Sequence, residues 1–337
     1  MRPLLHAHLV NGRFGDPALY VATLFEKRAM LFDLGDIAAL PPRKVHRLER
    51  IFVSHAHIDH LIGFDRLLRL LVGRERKVHL YGPAGFVDHV RHKIHGYRWN
   101  LAERYSCDLV FVVTEVDASL ATRRVQFRLK NGFADEPLAS EQVVDGILHQ
   151  EATFRVSIAT LEHRIPCLAF AATEAAHVNV WKNRLAELGL PIGPWLRELK
   201  RALAENRPDD HPIKIVPQPA APHVSELPLA ALRDVLTVTA GQKIAYVTDV
   251  ADTAANRAAI VKLGQNADLL FIEAAFAQAD AALASERAHL TTRAAGQIAR
   301  AAAVRRVEPF HFSARYAGEE TRMLEEVMSA FAGQPET

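Results

Sequence analysis

Short apolar runs alternate along this chain with amphipathic stretches, and the two periods read as strands and helices in turn. Residues 4–10 and 18–24 carry strand patterns, separated by the turn chemistry of Asn11-Gly12 and Phe14-Gly15-Asp16-Pro17. Ala29 to Phe32 is a third apolar run, closed by Asp33-Leu34-Gly35-Asp36. Glu49 to Val53 predicts a strand by its β-branched and aromatic content, and Leu61 to Leu71 a helix. Lys77 to Tyr81 predicts a strand, Gly82-Pro83-Ala84-Gly85 a turn and 85–95 a helix, followed by strands near 108–116, 123–129 and 153–161. This alternation predicts an α/β fold of layered sheets covered by helices, not a helical bundle or an all-β barrel.

Between 177 and 222 the pattern changes. Pro191, Pro194, Pro208, Pro212, Pro217, Pro219 and Pro222 interrupt a charged helical stretch, Trp195 to Glu205, which suits an inserted, protruding arm better than core. Arg197, Lys200 and Arg201 share one face of that helix by their spacing. Glu187, Glu198, Glu205, Asp209 and Asp210 offset much of the charge, so a solvated face explains the run as well as a binding surface does. Regular structure resumes at Leu236 to Thr239. Lys243 to Thr248 then ends in Asp249, and Asp268 to Ile272 ends in Glu273. Thr291 to Ala303 predicts a helix capped by Thr291 or Thr292. A strand near Arg306 to Phe310 ends in His311, and a helix at 319–331 follows. There is no internal repeat.

Composition narrows the picture only a little. With 337 residues, 49% of them hydrophobic, the chain can bury a large core as one domain, 1–337, with 177–222 inserted as the arm. Basic and acidic residues number 41 and 39, which neither demands nor excludes a nucleic-acid partner, so any basic surface must be local. Two cysteines, Cys107 and Cys167, build neither a disulfide framework nor a Cys-based zinc site, and a reducing cytoplasm is the expected compartment. The first residues lack a signal-peptide pattern, and no apolar run reaches the roughly 20 residues of a membrane span, so no membrane partner is expected.

The chemistry concentrates in Ser54-His55-Ala56-His57-Ile58-Asp59-His60, directly behind Ile51-Phe52-Val53. Among 17 histidines close pairs arise by chance, but three imidazoles and a carboxylate at this spacing behind a strand mark a metal site. If strand geometry persists to His57, His55 and His57 point the same way. Asp59 and His60 then turn back from the helix start, where the dipole favours an acid. The ligand set suits Zn²⁺, with Mn²⁺ or Fe as alternatives. His163, Asp249, Glu273 and His311 also stand at strand ends, which parallel or mixed sheets gather on one rim. Taken singly, Asp249 also reads as a turn or cap residue, with Asp252 as its competitor. Glu273 also reads as a salt-bridge partner and His289 as a helix-start residue. His177, His211 and His223 read as surface residues, and Cys167 as a small buried hydrophobe.

The His-x-His-x-Asp-His motif resembles that of the metallo-β-lactamase superfamily, and Asp33 matches that superfamily's early aspartate, which supports the metal loop. Within the superfamily the chain most resembles the ribonuclease Z (tRNase Z) family over nearly its whole length. The likeness rests on Tyr81 to Gly85, on Leu161-Glu162-His163-Arg164-Ile165-Pro166 and on Leu188 to Pro194 in the arm. It extends to Tyr246-Val247-Thr248-Asp249, Glu273-Ala274-Ala275-Phe276 with His289-Leu290-Thr291-Thr292, and Phe310 to Tyr316. The resemblance implies an αββα sandwich, the metallo-β-lactamase fold, holding two divalent metal ions. One would be held by His55, His57 and His163, the other by Asp59, His60 and His311, with Asp249 bridging. It further implies that Asp59 orients the attacking hydroxide and takes its proton, that His289, oriented by Glu273, protonates the leaving oxygen, and that Ser313 and Arg315 hold a substrate phosphate. The implied substrate is precursor tRNA, cut at its 3′ trailer, and the implied assembly is a homodimer.

The chain also departs from the family pattern. Leu9-Val10-Asn11-Gly12 stands where the family has a Gly-Thr-Gly and Pro-rich opening, and Phe64-Asp65-Arg66 where it has Leu-Pro-Gly. Ile272-Glu273-Ala274-Ala275 replaces His-Glu-Ala-Thr, and Leu168-Ala169-Phe170 replaces Phe-Gly-Tyr. Two other functions are therefore carried beside RNA cleavage: hydrolysis of a small phosphodiester or another ester, and recognition of RNA or a protein partner without catalysis.

Overall fold

The computed structural model describes residues 3–24, 26–204, 207–215 and 226–334, which divide into two compact units, 1–173 with 242–337, and 174–241. The first unit is built on two sheets. The larger runs in chain order through β1 (Leu5–Leu9), β2 (Leu19–Thr23), β3 (Ala29–Phe32), β4 (Leu48–Phe52), β5 (Arg76–Pro83), β6 (Leu109–Val116), β7 (Thr122–Arg128) and β8 (Asp135–Leu138). The smaller contains β9 (Ile147–Gln150), β10 (Phe154–Glu162), β11 (Pro166–Glu174), β16 (Lys243–Val247), β17 (Leu269–Glu273) and β18 (Val307–Phe310), in the order β18-β17-β16-β11-β10-β9. Four further strands, β12 (His177–Val180), β13 (Pro212–Lys214), β14 (Glu226–Pro228) and β15 (Leu236–Thr239), belong to the second unit.

Three apolar cores give the first unit its layers. Phe32, Phe52, Tyr81, Phe170, Tyr246 and Phe310 pack between the sheets, with Phe52 and Tyr81 stacked at 4.8 Å and Tyr246 and Phe310 at 5.2 Å. Outside the large sheet, helix Phe64–Leu71 buries Phe64, Leu67, Leu68 and Leu71, one face by 3.6-residue period. Each such side chain contributes about 1.5–3 kcal/mol of burial. Outside the small sheet, helices Ala254–Gly264, Thr292–Ala301 and Glu320–Ala332 supply the third core. Thr291, not Thr292, caps the second of these, its hydroxyl accepting the Ala294 N–H at 3.1 Å. A Cβ on Gly296 would lie 2.4 Å from the Val327 carbonyl, so only glycine lets those last two helices close. The order helix, sheet, sheet, helix is the expected αββα sandwich.

Strand direction places the chemistry. β3, β4 and β5 are mutually parallel, as are β16, β17 and β18, and β11 runs antiparallel to β16. The loops after β3, β4, β16, β17 and β18, and the turn from β10 into β11, therefore share one rim. Ala251 N–H donates to the Glu162 carbonyl at 3.0 Å across that rim. The carboxyl ends of parallel strands are where such folds place their sites.

The second unit, Glu174–Gly241, is longer than the 177–222 read from the sequence, and it has its own core of Leu185, Trp195, Leu199, Ile213, Leu229 and Leu232. Leu236–Thr239 (β15) pairs antiparallel with His177–Val180 (β12), so it belongs here and not to the resumed main sheet. Pro212–Lys214 (β13) pairs with Glu226–Pro228 (β14). Arg197, Lys200 and Arg201 are exposed on helix Trp195–Ala204, opposite its buried Trp195, Leu199 and Ala202. His177 bonds the Glu174 carboxylate at 3.0 Å. Glu205, Pro217, Pro219, Pro222 and His223 lie outside the described residues. Among the described residues no helix is long and apolar enough to cross a membrane.

Candidate metal centre

His55 and His57 follow β4, but the strand ends at Phe52, so strand alternation is not what aligns them. A short irregular segment and the helix Ile58–Leu61 do it instead, bringing His55 Nε2 to 2.9 Å from His57 Nδ1. Beneath them, Asp33 organises the loop. Its Oδ1 accepts the Ser54 N–H at 2.6 Å, and its Oδ2 accepts Ser54 Oγ–H at 2.9 Å, His60 Nδ1–H at 2.9 Å and Tyr246 Oη–H at 2.8 Å. Ser54 Oγ, having donated to Asp33, accepts from His55 Nδ1 at 3.0 Å. This chain fixes both tautomers and leaves Nε2 of His55 and of His60 as lone-pair donors, the arrangement that orients metal-binding imidazoles. His163 is fixed likewise by the Ala288 carbonyl, 2.8 Å from its Nδ1.

Two groups of potential ligand atoms result, each gathered within 4.8 Å: His55, His57, His163 and Asp249, and Asp59, His60, Asp249 and His311. Asp249 joins them. Its Oδ2 lies 3.6, 3.3 and 3.7 Å from Nε2 of His55, His60 and His163, and its Oδ1 lies 3.0 Å from His311 Nδ1 and accepts the Thr248 hydroxyl at 2.9 Å. Asp33, Asp249 and His311 each adopt positive φ, 56°, 35° and 59°, within two residues of the ends of their strands. Such strain, about 1–3 kcal/mol a residue, gathers at functional sites, and Asp and His tolerate it better than branched residues.

The donor set fits divalent cations. His55 Nε2 and His57 Nδ1, 2.9 Å apart, can share a proton or turn both lone pairs on one cation. Buried His60 Nε2 and His311 Nδ1 make no hydrogen bond within the described residues, although Asp249 oxygens lie beside them. Without a cation, the charges press on one another. Burial and the neighbouring imidazoles drive the His55 pKa down to about 2. Burial also opposes charge on His311, but Asp249 and Asp59 outweigh it and raise that imidazole to about 10. Burial would raise Asp59, yet the adjacent His311 and His60 imidazoles hold it well below the carboxylate range.

Beside the clusters, His289 Nδ1 donates to both Glu273 oxygens, at 3.2 and 3.1 Å. Glu273 is fully buried and also accepts the Val250 N–H at 2.7 Å. Burial lowers the His289 pKa, and the Glu273 and Asp249 charges more than restore it, so the net shift is upward. Glu273, His289 and His311 form a third close group. Ser313 lines the cavity next to Asp59, His289 and His311. Arg315 does not line it: its guanidinium lies over the Phe276 ring at 5.7 Å and 3.6 Å from Asp280. Asp252 is likewise apart, paired with Arg257 at 2.8 Å. Cys167 is fully buried, with Sγ 3.9 Å from His55 Nδ1. Ser54, Tyr246 and Thr248 carry no signal of their own in the sequence, although each lies within a motif that does.

Comparison with known proteins agrees with this geometry. The Beta-lactamase superfamily domain matches residues 31–127, which include Asp33 and the His-rich loop. The chain is 31% identical over 320 residues to Ribonuclease Z of Deinococcus radiodurans, covering 93% of this chain and 91% of that one. It is 32% identical over 319 residues to Ribonuclease Z of Thermobifida fusca, covering 92% and 83%. In fold it is similar to the short form of human tRNase Z, with a TM-score of 0.54 and 19% identity over 93% of this chain and 92% of that one. The fold and paired clusters are those of a metal-dependent hydrolase of the metallo-β-lactamase superfamily. The chain belongs to the family of its ribonuclease Z relatives within that superfamily.

Proposed function

We propose that this protein is an endoribonuclease of the ribonuclease Z type, cleaving precursor tRNA at its 3′ trailer. The observation that carries the proposal is the pair of four-residue clusters sharing Asp249, with the His289–Glu273 pair alongside. His55, His57 and His163 would hold one divalent ion and Asp59, His60 and His311 the other, with Asp249 common to both and Zn²⁺ the first candidate. Bound ions would polarise the phosphodiester and make water nucleophilic near neutral pH.

The remaining chemistry belongs to the chain. Asp59, ionised and partly exposed, is placed to orient a water and accept its proton. His289, its pKa raised by Glu273 against the effect of burial, is placed to donate a proton to the leaving 3′ oxygen. Ser313 contributes a hydroxyl to the substrate phosphate. Arg315 would serve the phosphate only by leaving Asp280. The exposed Arg197, Lys200 and Arg201 supply backbone contacts to structured RNA, which is recognised by shape and phosphates.

Metal analysis combined with cleavage of precursor tRNA and mapping of the cut tests this directly. A single cut at the 3′ trailer, dependent on divalent metal and lost in Asp249→Ala, is the expected result. Metal-loaded protein that leaves precursor tRNA intact while hydrolysing bis(p-nitrophenyl) phosphate would replace the RNA assignment with a small-phosphodiester hydrolase.

A further inference from the structure

Next to the paired clusters is a cavity of about 280 Å³ lined by both polar and aromatic residues. Asp59, His289 and His311 line it together with the aromatic residues Phe14, Phe276 and Phe312, and the Phe276 ring lies 5.9 Å from that of His289. Among the described residues no Arg or Lys lines it. Away from the metal clusters, the cavity is therefore unsuited to a second phosphate and suited to an uncharged, flat group.

Phe14 is the half-buried member of the three aromatic residues, whereas Phe276 and Phe312 are 7% and 2% exposed. Its ring meets Phe312 edge-on at 5.4 Å and 73°, and Phe14 lines the cavity. The segment carrying it is held on both sides. Arg13 donates to the Pro309 carbonyl and, at 2.8 Å, to Glu308, and its own carbonyl accepts the Phe312 N–H at 2.9 Å. Asn11 Nδ2 donates to the carbonyls of Asp16 at 2.8 Å and Asp36 at 2.7 Å. A Cβ on Gly15 would fall 2.6 Å from Asn11 Cβ and 2.8 Å from its carbonyl oxygen, so the turn closes only around glycine. Phosphodiester hydrolysis by Asp59 and His289 makes no use of a rigidly presented ring. Recognition of the nucleoside attached to the reacting phosphate does, because every base offers a π-face.

We propose that Phe14, backed by Phe312, is a stacking platform for the nucleobase adjoining the scissile phosphate, so that this cavity is a nucleobase subsite. The proposal rests on the RNA-cleaving reading and names how that site holds its substrate. Phe14 is a specificity residue; it touches the base and not the reacting atoms.

The test uses the metal-reconstituted full chain and two ligands, 2-aminopurine riboside 5′-monophosphate and ribose 5-phosphate, which differ only in the base. The wild type should bind the nucleotide about tenfold more tightly than the sugar phosphate and quench its fluorescence, as stacking does. Phe14→Ala and Phe14→Leu should each bring that ratio near one and abolish the quench, and Phe14→Trp should restore both. Equal binding of the two ligands by the wild type overturns the proposal. So does a Phe14→Ala variant that weakens both ligands alike, because a purely structural role leaves the ratio intact. Precursor tRNA assayed in parallel separates the two ideas: intact tRNA with the base preference retained removes the RNA substrate and keeps the subsite.

Discussion

Tyr246, on the smaller sheet, donates its hydroxyl to Asp33, on the loop after β3 of the larger sheet, at 2.8 Å and with both side chains fully buried. This bond ties the two sheets together directly under the His-rich loop. Tyr246→Phe removes one of three donors to Asp33 Oδ2. A buried bond to a charged acceptor is worth about 1.5–3 kcal/mol, so urea unfolding should show a loss of that order. Chelator competition should show metal held on the order of tenfold more weakly. Unchanged metal affinity would mean that Asp33 orients His60 without help from the second sheet.

Asp249 is the one residue common to both ligand groups. Asp249→Ala should therefore deplete both metal sites, whereas His57→Ala and His311→Ala should each deplete mainly one. Metal content per chain, measured after equilibration with Zn²⁺, distinguishes these outcomes, and equal depletion in all three variants argues against two separable sites.

The Glu273 carboxylate raises the His289 pKa against the opposing effect of burial. A general acid works while protonated, so its raised pKa extends activity toward higher pH, and activity falls as pH rises through that value. Glu273→Gln removes the raising charge and should move the basic limb of the kcat profile to lower pH, with a smaller effect on the acidic limb. A basic limb that stays in place would assign it to some other group.

Arg197, Lys200 and Arg201 are exposed together on one helix of the second unit. If they bind phosphates, replacing all three with alanine should weaken precursor tRNA binding. It should also reduce the slope of log affinity against log salt by about 0.7–0.9 for each phosphate no longer neutralised. The effect should be far larger for tRNA than for bis(p-nitrophenyl) phosphate. An unaltered salt slope would leave the helix as a solvated face.

Gly63 approaches the loop that carries Gly35 so closely that a Cβ would sit 2.2 Å from the Gly35 carbonyl oxygen. Gly63→Ala must push the start of helix Phe64–Leu71 away from that loop, and with it the segment bearing Asp59 and His60. Thermal unfolding should register about 1–3 kcal/mol of destabilisation, as for other overpacked sites. A well-tolerated substitution would show that this close approach does not position the metal loop.

Much of the chemistry was legible because it is local. His55, His57, Asp59 and His60 sit within one short stretch, and His163, Asp249 and His311 each follow an apolar run that reads as a strand. The structure brings them together as the strand-end argument expects. Elements without a local signature were missed. β11 begins at Pro166 and is rich in alanine, β8 is a short charged edge strand, and helix Ala254–Gly264 lacks a strong apolar stripe. The second unit runs past 222 to Gly241 because Leu236–Thr239 reads as a strand wherever it pairs, and its partner, His177–Val180, lies far earlier in the chain.

The sequence by itself determined the ligand types, their order along the chain and the alternation of strands and helices, because periodicity and side-chain chemistry are properties of neighbouring residues. Tertiary structure decided that Asp249 stands between the two clusters, that Tyr246 and Ser54 work through Asp33, that Arg315 turns to Asp280, and that Phe14 lines one cavity with Asp59, His289 and His311. Each of those depends on strands remote in sequence meeting at one rim, and sheet pairing is set by buried apolar faces whose partners no local pattern names.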